Sequence, residues 1–102
     1  MGYATFPYEI RETRLFARWF AALRDARAKL AIMSRLDRLR MGDLGDLKSV
    51  GGGVSEIRVD VGAGYRVYFL RRERVVILLL CGGDKSSQRA DIARAQRLAS
   101  YD

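Results

Sequence analysis

The stretch "SEIRVDVGAGYRVYF", Ser55 to Phe69, decides how this chain folds, because its alternation of apolar and charged residues selects the register of a hairpin. Successive side chains of a strand point to opposite faces. Ile57, Val59 and Val61 therefore share one face, and Glu56, Arg58 and Asp60 share the other. With Gly62-Ala63-Gly64 as a three-residue hairpin loop and Gly64 at its positive-φ position, Val61 faces Tyr65, Val59 faces Val67 and Ile57 faces Phe69. The reverse side then pairs Asp60 with Arg66 and Arg58 with Tyr68. A loop one residue longer would mix apolar and charged side chains on both faces. The predicted hairpin has one face for a core and one that carries arginines, acids and a tyrosine.

Upstream, Pro7 precedes "YEIRET", in which Tyr8 and Ile10 alternate with Glu9 and Arg11. This predicts a short edge strand, with Thr13 as the cap of a following helix. Phe16, Trp19, Phe20 and Leu23 form a helical stripe whose phase breaks near Arg24-Asp25-Ala26, after which Ile32, Leu36 and Leu39 with Met33 begin another. One unbroken helix here would run roughly 40 Å, too long for a chain with an expected radius of gyration near ~13 Å. Two antiparallel helices joined by a tight turn are predicted. The five glycines between Gly42 and Gly53 predict a loop, which carries Lys48. Downstream, "VVILLLC" (Val75 to Cys81) does not alternate and reads as a strand buried on both faces. "GGD" ends it, and "KSSQRADIARAQRLAS" is helical, capped by Asp84 or Ser86. The expected fold is a single α+β domain, residues 1–102, in the order β-α-α-β-β-β-α. Its antiparallel-dominated sheet packs on a two-helix hairpin, and the last helix lies near an edge of the other face.

The 102 residues include 19 Lys+Arg against 12 Asp+Glu, a net charge of +7 with a pI near 10.2. Such a balance favours an anionic partner, or merely keeps a small protein soluble. One cysteine, Cys81, excludes an internal disulfide, and "MGYATFPYEI" has no signal-peptide pattern, so a cytoplasmic protein is expected. The longest apolar run is too short to span a bilayer, so no membrane role is expected. The chain has no histidine. That excludes an imidazole base and an ordinary zinc site, and no metal or cofactor is expected. Any catalysis rests on Arg, Lys, Asp, Glu, Tyr or Ser.

Three basic features carry possible chemistry. The Arg58/Arg66 face is either a solvated sheet face or a surface for phosphate. "CGGDKSSQ", Cys81 to Gln88, has a lysine and a helix start after two glycines but lacks the G-x-x-x-x-G-K-[ST] spacing of a nucleotide phosphate loop. Free N–H groups beside Lys85 suit a single phosphate, and a tight turn with a solvated lysine is the alternative. On the second helix, Arg27, Arg35 and Arg38 fall roughly on one face, either solvated or receptive to an acidic partner.

The element order, Gly64-Tyr65-Arg66 within "GYRVYF" and "LLLCGGDKSSQRADIARA" at the end together resemble the RelE/ParE superfamily of toxin–antitoxin toxins. The likeness is closest to the "addiction module killer protein" branch grouped with HigB-like toxins, and it covers about Tyr8 to Ala99. It implies a toxin whose concave sheet face binds mRNA on the ribosome and cleaves it by attack of a 2′-hydroxyl on the adjacent phosphate. It also implies a small cognate antitoxin, of helix-turn-helix type. By position, Arg66 matches the arginine that stabilises charge on the phosphate, Arg58 a basic residue before the hairpin turn, and Lys85 a proton donor to the leaving oxygen. Lys48, Tyr68, Gln88 and Arg89 become candidate RNA contacts. The catalytic tyrosine of RelE falls at Asp91 here, and the histidines of HigB-type enzymes are missing. Glu56, Asp84 and Asp91 remain as candidate general bases. Two other readings stay open: a ParE-like inhibitor of DNA gyrase, and an inactive RNA-binding member.

Overall fold

A computed structural model describes residues 7–101. The chain runs β1 (Glu9–Glu12), α1 (Arg14–Ala22), α2 (Ala26–Arg40), β2 (Leu47–Gly51), β3 (Val54–Val59), β4 (Tyr65–Arg72), β5 (Val76–Asp84), a 3₁₀ turn (Lys85–Ser87) and α3 (Gln88–Ser100). The five strands form one mixed sheet in the order β1-β5-β4-β3-β2. β1 runs parallel to β5 and the other neighbours are antiparallel. The predicted helix break is present between α1 and α2. Thr13 Oγ1 accepts the Phe16 N–H, and Asp25 Oδ1 accepts the Ala28 N–H, so each helix has its own cap.

The central hairpin forms with its faces as expected, but its register is shifted by two residues. Val59 pairs with Tyr65, Ile57 with Val67 and Glu56 with Tyr68. The loop is therefore Asp60 to Gly64, still odd in length, and an even slip keeps each side chain on its face. The longer loop is stabilised by its own hydrogen bonds: Val61 N–H to the Val59 carbonyl and Gly64 N–H to the Val61 carbonyl. Gly62 and Gly64 supply positive φ, +58° and +78°. The expected Asp60–Arg66 and Arg58–Tyr68 pairs are thereby replaced. Arg58 stands directly opposite Arg66.

A second correction concerns the glycine-rich segment, where the predicted loop contains strand β2, paired with β3. Gly51, Gly52 and Gly53 all take positive φ and turn the chain between the two. The glycines hide a strand whose support comes from β3 rather than from its own propensity. The observed order is thus β-α-α-β-β-β-β-α.

The apolar face of the hairpin packs against α1 and α2. Phe16, Ile32 and Leu39 are buried against Ile57, Val59, Val67, Phe69, Ile77 and Leu79, with Trp19, Phe20 and Leu23 partly buried beside them. The other face bears a second cluster, Val54, Tyr68, Leu70, Leu80 and Cys81, covered by Ala95, Ile92 and Leu98 of α3. The last helix therefore lies across β3, β4 and β5 rather than near an edge, and β5 is buried on both faces as its composition predicted. At the end of β5 two glycines admit both layers. A side chain at Gly82 would collide with the Trp19 ring of α1, and one at Gly83 with Asp91 of α3. Among the described residues no helix is long and apolar enough to cross a membrane.

Candidate functional site

Pairing across the sheet lines up two rows of side chains on the α3 side. Lys48, Glu56, Tyr68 and Cys81 are successive neighbours in one row, and Arg58, Arg66 and Gly83 in the next. Glu56 is the hub and is 0% exposed. Its carboxylate accepts hydrogen bonds from Arg58 Nε at 3.2 Å and Gln88 Nε2 at 2.8 Å, and Arg66 Nε stands 3.8 Å away. Two like charges directly opposite on paired strands repel each other. A buried carboxylate held by both arginines offsets that repulsion and fixes where the guanidiniums point.

Arg66 is 7% exposed. Its Nη1 donates to the Gly64 carbonyl at 3.2 Å, while Nε has no partner at hydrogen-bonding geometry. Tyr68 is fully buried, and its hydroxyl likewise has no partner at that geometry. Burial first, then the Glu56 charge, holds this phenol protonated far above its ordinary range.

Two of the three candidate bases have local tasks. Asp84 Oδ1 accepts the Ser86 N–H at 2.8 Å and the Ser86 hydroxyl at 2.5 Å, and these hydrogen bonds hold its carboxyl below the usual carboxylate range. Asp91, 5% exposed, accepts the Ser87 hydroxyl at 2.5 Å in the first turn of α3, where the helix dipole favours an anion. Cys81 is buried, its thiol donating to the Asp91 carbonyl, and burial pushes it up to about 11.

An open cleft of about 600 Å³ lies at the hairpin-loop end of the sheet, lined by Arg58, Arg66, Lys85, Gln88, Asp60 and the Gly62–Gly64 turn. A second of about 760 Å³ adjoins it through Arg58 and Asp60, lined also by Arg35, Arg38, Lys48, Asp46 and Glu56. The three basic residues expected to act together, Arg58, Arg66 and Lys85, thus share one cleft, with Gln88 beside them. Lys48 belongs to the adjoining one. Tyr68, Asp84, Asp91 and Arg89 line neither. Arg35 and Arg38 adjoin the Arg58 cleft rather than forming a separate surface; the Arg35 guanidinium packs so close to Gly45 that a Cβ there would lie 3.0 Å from it. Asp60 is the residue that sequence reasoning assigned elsewhere, because the three-residue loop put it opposite Arg66. Among the described residues no group of three or more His, Cys, Asp or Glu is placed to hold a metal.

Fold and cleft together define a small mixed α+β protein, with a five-stranded sheet between helices and a basic cleft at one end of that sheet. Residues 18–99 match the phage-derived protein Gp49-like family (DUF891), and the chain belongs to it. A protein of Haemophilus influenzae strain Rd, named only as uncharacterised, is 47% identical over 91 residues, which cover 89% of this chain and 92% of that protein. The family match spans every residue of both clefts.

Proposed function

We propose that this protein is the toxin of a toxin–antitoxin module and that the Arg58–Arg66–Lys85 cleft binds and cleaves RNA. The RelE-like reading of the fold belongs to this proposal, as do the ribosome and mRNA as its targets and a small antitoxin as its partner. The observation that carries it is the opposed arginine pair. Sheets avoid like charges face to face, yet here two guanidiniums are locked in place by a buried carboxylate and open onto a cleft with Lys85. Cations preorganised in this way stabilise charge that develops on a phosphate without reorganising when it appears. Arg66 offers the fixed planar fork suited to a phosphate. Lys85 supplies a proton to the leaving oxygen, and Gln88 holds Glu56 from the α3 side. The 2′-hydroxyl of the substrate is the nucleophile, so positioning of an in-line attack contributes much of the rate.

For the base, the cleft points to Asp60, the one carboxylate on its lining. Glu56, Asp84 and Asp91 are each engaged in hydrogen bonds of the fold. The same engagement favours a second reading, in which the cleft binds its target without cutting it, as a gyrase inhibitor would. Growth on induction separates structural from functional loss. Lys85 and Arg58 are both exposed, so Lys85→Ala and Arg58→Ala should keep the melting temperature within a few degrees and abolish or sharply weaken toxicity. Full toxicity in both folded variants would remove the cleft from the mechanism. Loss of supercoiling by purified gyrase in the presence of the protein would favour the second reading.

A further inference from the structure

The cleft of about 760 Å³ beside the arginine pair is lined by charges of both signs that do not pair with one another. Arg35 and Arg38 of α2 and Lys48 of β2 stand on its wall with Asp46 and Asp60. Among the described residues, the side chains of these five make no hydrogen bond or ion pair. Elsewhere neighbouring charges do pair, Arg40 with Asp37 and Arg11 with Glu9. Two of the five are also held in place. The half-buried Arg35 lies against Gly45, where a Cβ would come within 3.0 Å of the guanidinium. Asp46 is the middle residue of a three-residue turn. The Leu47 N–H donates to the Gly45 carbonyl at 3.1 Å, and the Gly45 N–H donates to Asp43 Oδ1 at 3.2 Å.

We propose that this cleft takes the nucleotide next to the scissile phosphate and that Asp46 selects guanine there, with Arg35, Arg38 and Lys48 on the phosphate. The inference rests on the RNA reading of the Arg66 cleft. The two clefts meet at Arg58 and Asp60, so successive nucleotides of one strand can occupy them. An ionised carboxylate only accepts hydrogen bonds. Guanine alone puts two donors, N1–H and the 2-amino group, side by side on its Watson–Crick edge, and one carboxylate accepts both. Adenine and cytosine set an acceptor next to their amino group, and uracil flanks its one N–H with two carbonyls. Single-stranded RNA presents that edge to a protein. An acidic peptide would satisfy the cations but bring like charge against Asp46. Asp60 lines both clefts and Asp46 only this one, which leaves Asp46 free for the base.

The test uses the purified full chain and short 2′-O-methyl oligonucleotides, which lack the attacking hydroxyl. One is all uridine, and the others carry a central guanosine or adenosine. Fluorescence anisotropy at physiological ionic strength should show the guanosine oligonucleotide bound at least about tenfold tighter than the other two. Asp46→Asn presents one acceptor and one donor, the combination that suits adenine. It should abolish the guanosine preference and favour the adenosine oligonucleotide, with an unchanged melting temperature. Arg38→Ala should weaken all three alike and keep the preference. Equal binding of the three by the wild type would overturn the inference and leave the RNA reading standing, whereas failure to bind any of them would count against both. A guanosine preference retained in Asp46→Asn would also overturn the inference, and its loss in Asp60→Asn would then move recognition to Asp60.

Discussion

Replacing Glu56 by glutamine keeps the shape of the side chain and removes its charge. Arg66, only 7% exposed, would then face Arg58 without the carboxylate that both approach. Removing one partner of a buried ion pair costs about 3–5 kcal/mol. Arg58 is 45% exposed and can turn to water, so Glu56→Gln should lose about 3 kcal/mol in urea denaturation; a loss under about 1 kcal/mol would show that Glu56 does not hold the pair. Tyr68 gives the pH test. Its folded pKa lies above the unfolded value near 10, so its contribution is complete below about pH 10. Above that the unfolded chain releases the proton while the native state keeps it, and stability falls as pH rises. Tyr68→Phe removes a hydroxyl with no partner at hydrogen-bonding geometry; it should keep stability at pH 7 within about 1 kcal/mol and flatten the loss above pH 10. An equally steep alkaline loss in Tyr68→Phe would assign that loss to another group. At this scale charge and alternation made it legible that Arg58 and Arg66 share the polar face of the hairpin, and both line one cleft with Lys85. The burial of Glu56, Arg66 and Tyr68 was not legible, because it depends on α3 crossing the polar half of the hairpin.

Among the elements, β5 joins the site to the core. Its Gly82 and Gly83 lie where α1 approaches from one side through Trp19, and α3 and the 3₁₀ turn before it approach from the other through Asp91 and Ser87. Gly82→Ala should cost roughly 1–3 kcal/mol by overpacking. The penalty should shrink to a few tenths in a Trp19→Ala background, since residues in contact do not act additively. Equal penalties in both backgrounds, read from the four chemical denaturation midpoints of that cycle, would mean that Trp19 is not what Gly82 accommodates. The strand itself, the helix break at Asp25 and the cap at Thr13 were readable because composition, phase and capping chemistry are local. β2 and the five-residue hairpin loop were not. A glycine-rich edge strand has little signal of its own, and loops of three and five residues give the same alternation of faces, so sequence fixes parity without choosing the length.

For the whole molecule, a net charge of +7 pointed to an anionic partner, but only the folded chain says where that charge gathers. Arg35, Arg38 and Lys48, distant in sequence from Arg66, line the cleft that adjoins its own. Long-range placement of this kind comes from sheet order, which the chain's local pattern leaves undetermined. The central claim, that the cleft cleaves RNA, is tested most directly by mapping transcript 5′ ends minutes after induction of the wild type and of Lys85→Ala at equal protein level. New ends within coding sequences should appear with the wild type and be absent or rare with the variant. No new ends with a toxic wild type, or the same ends with both proteins, would contradict it.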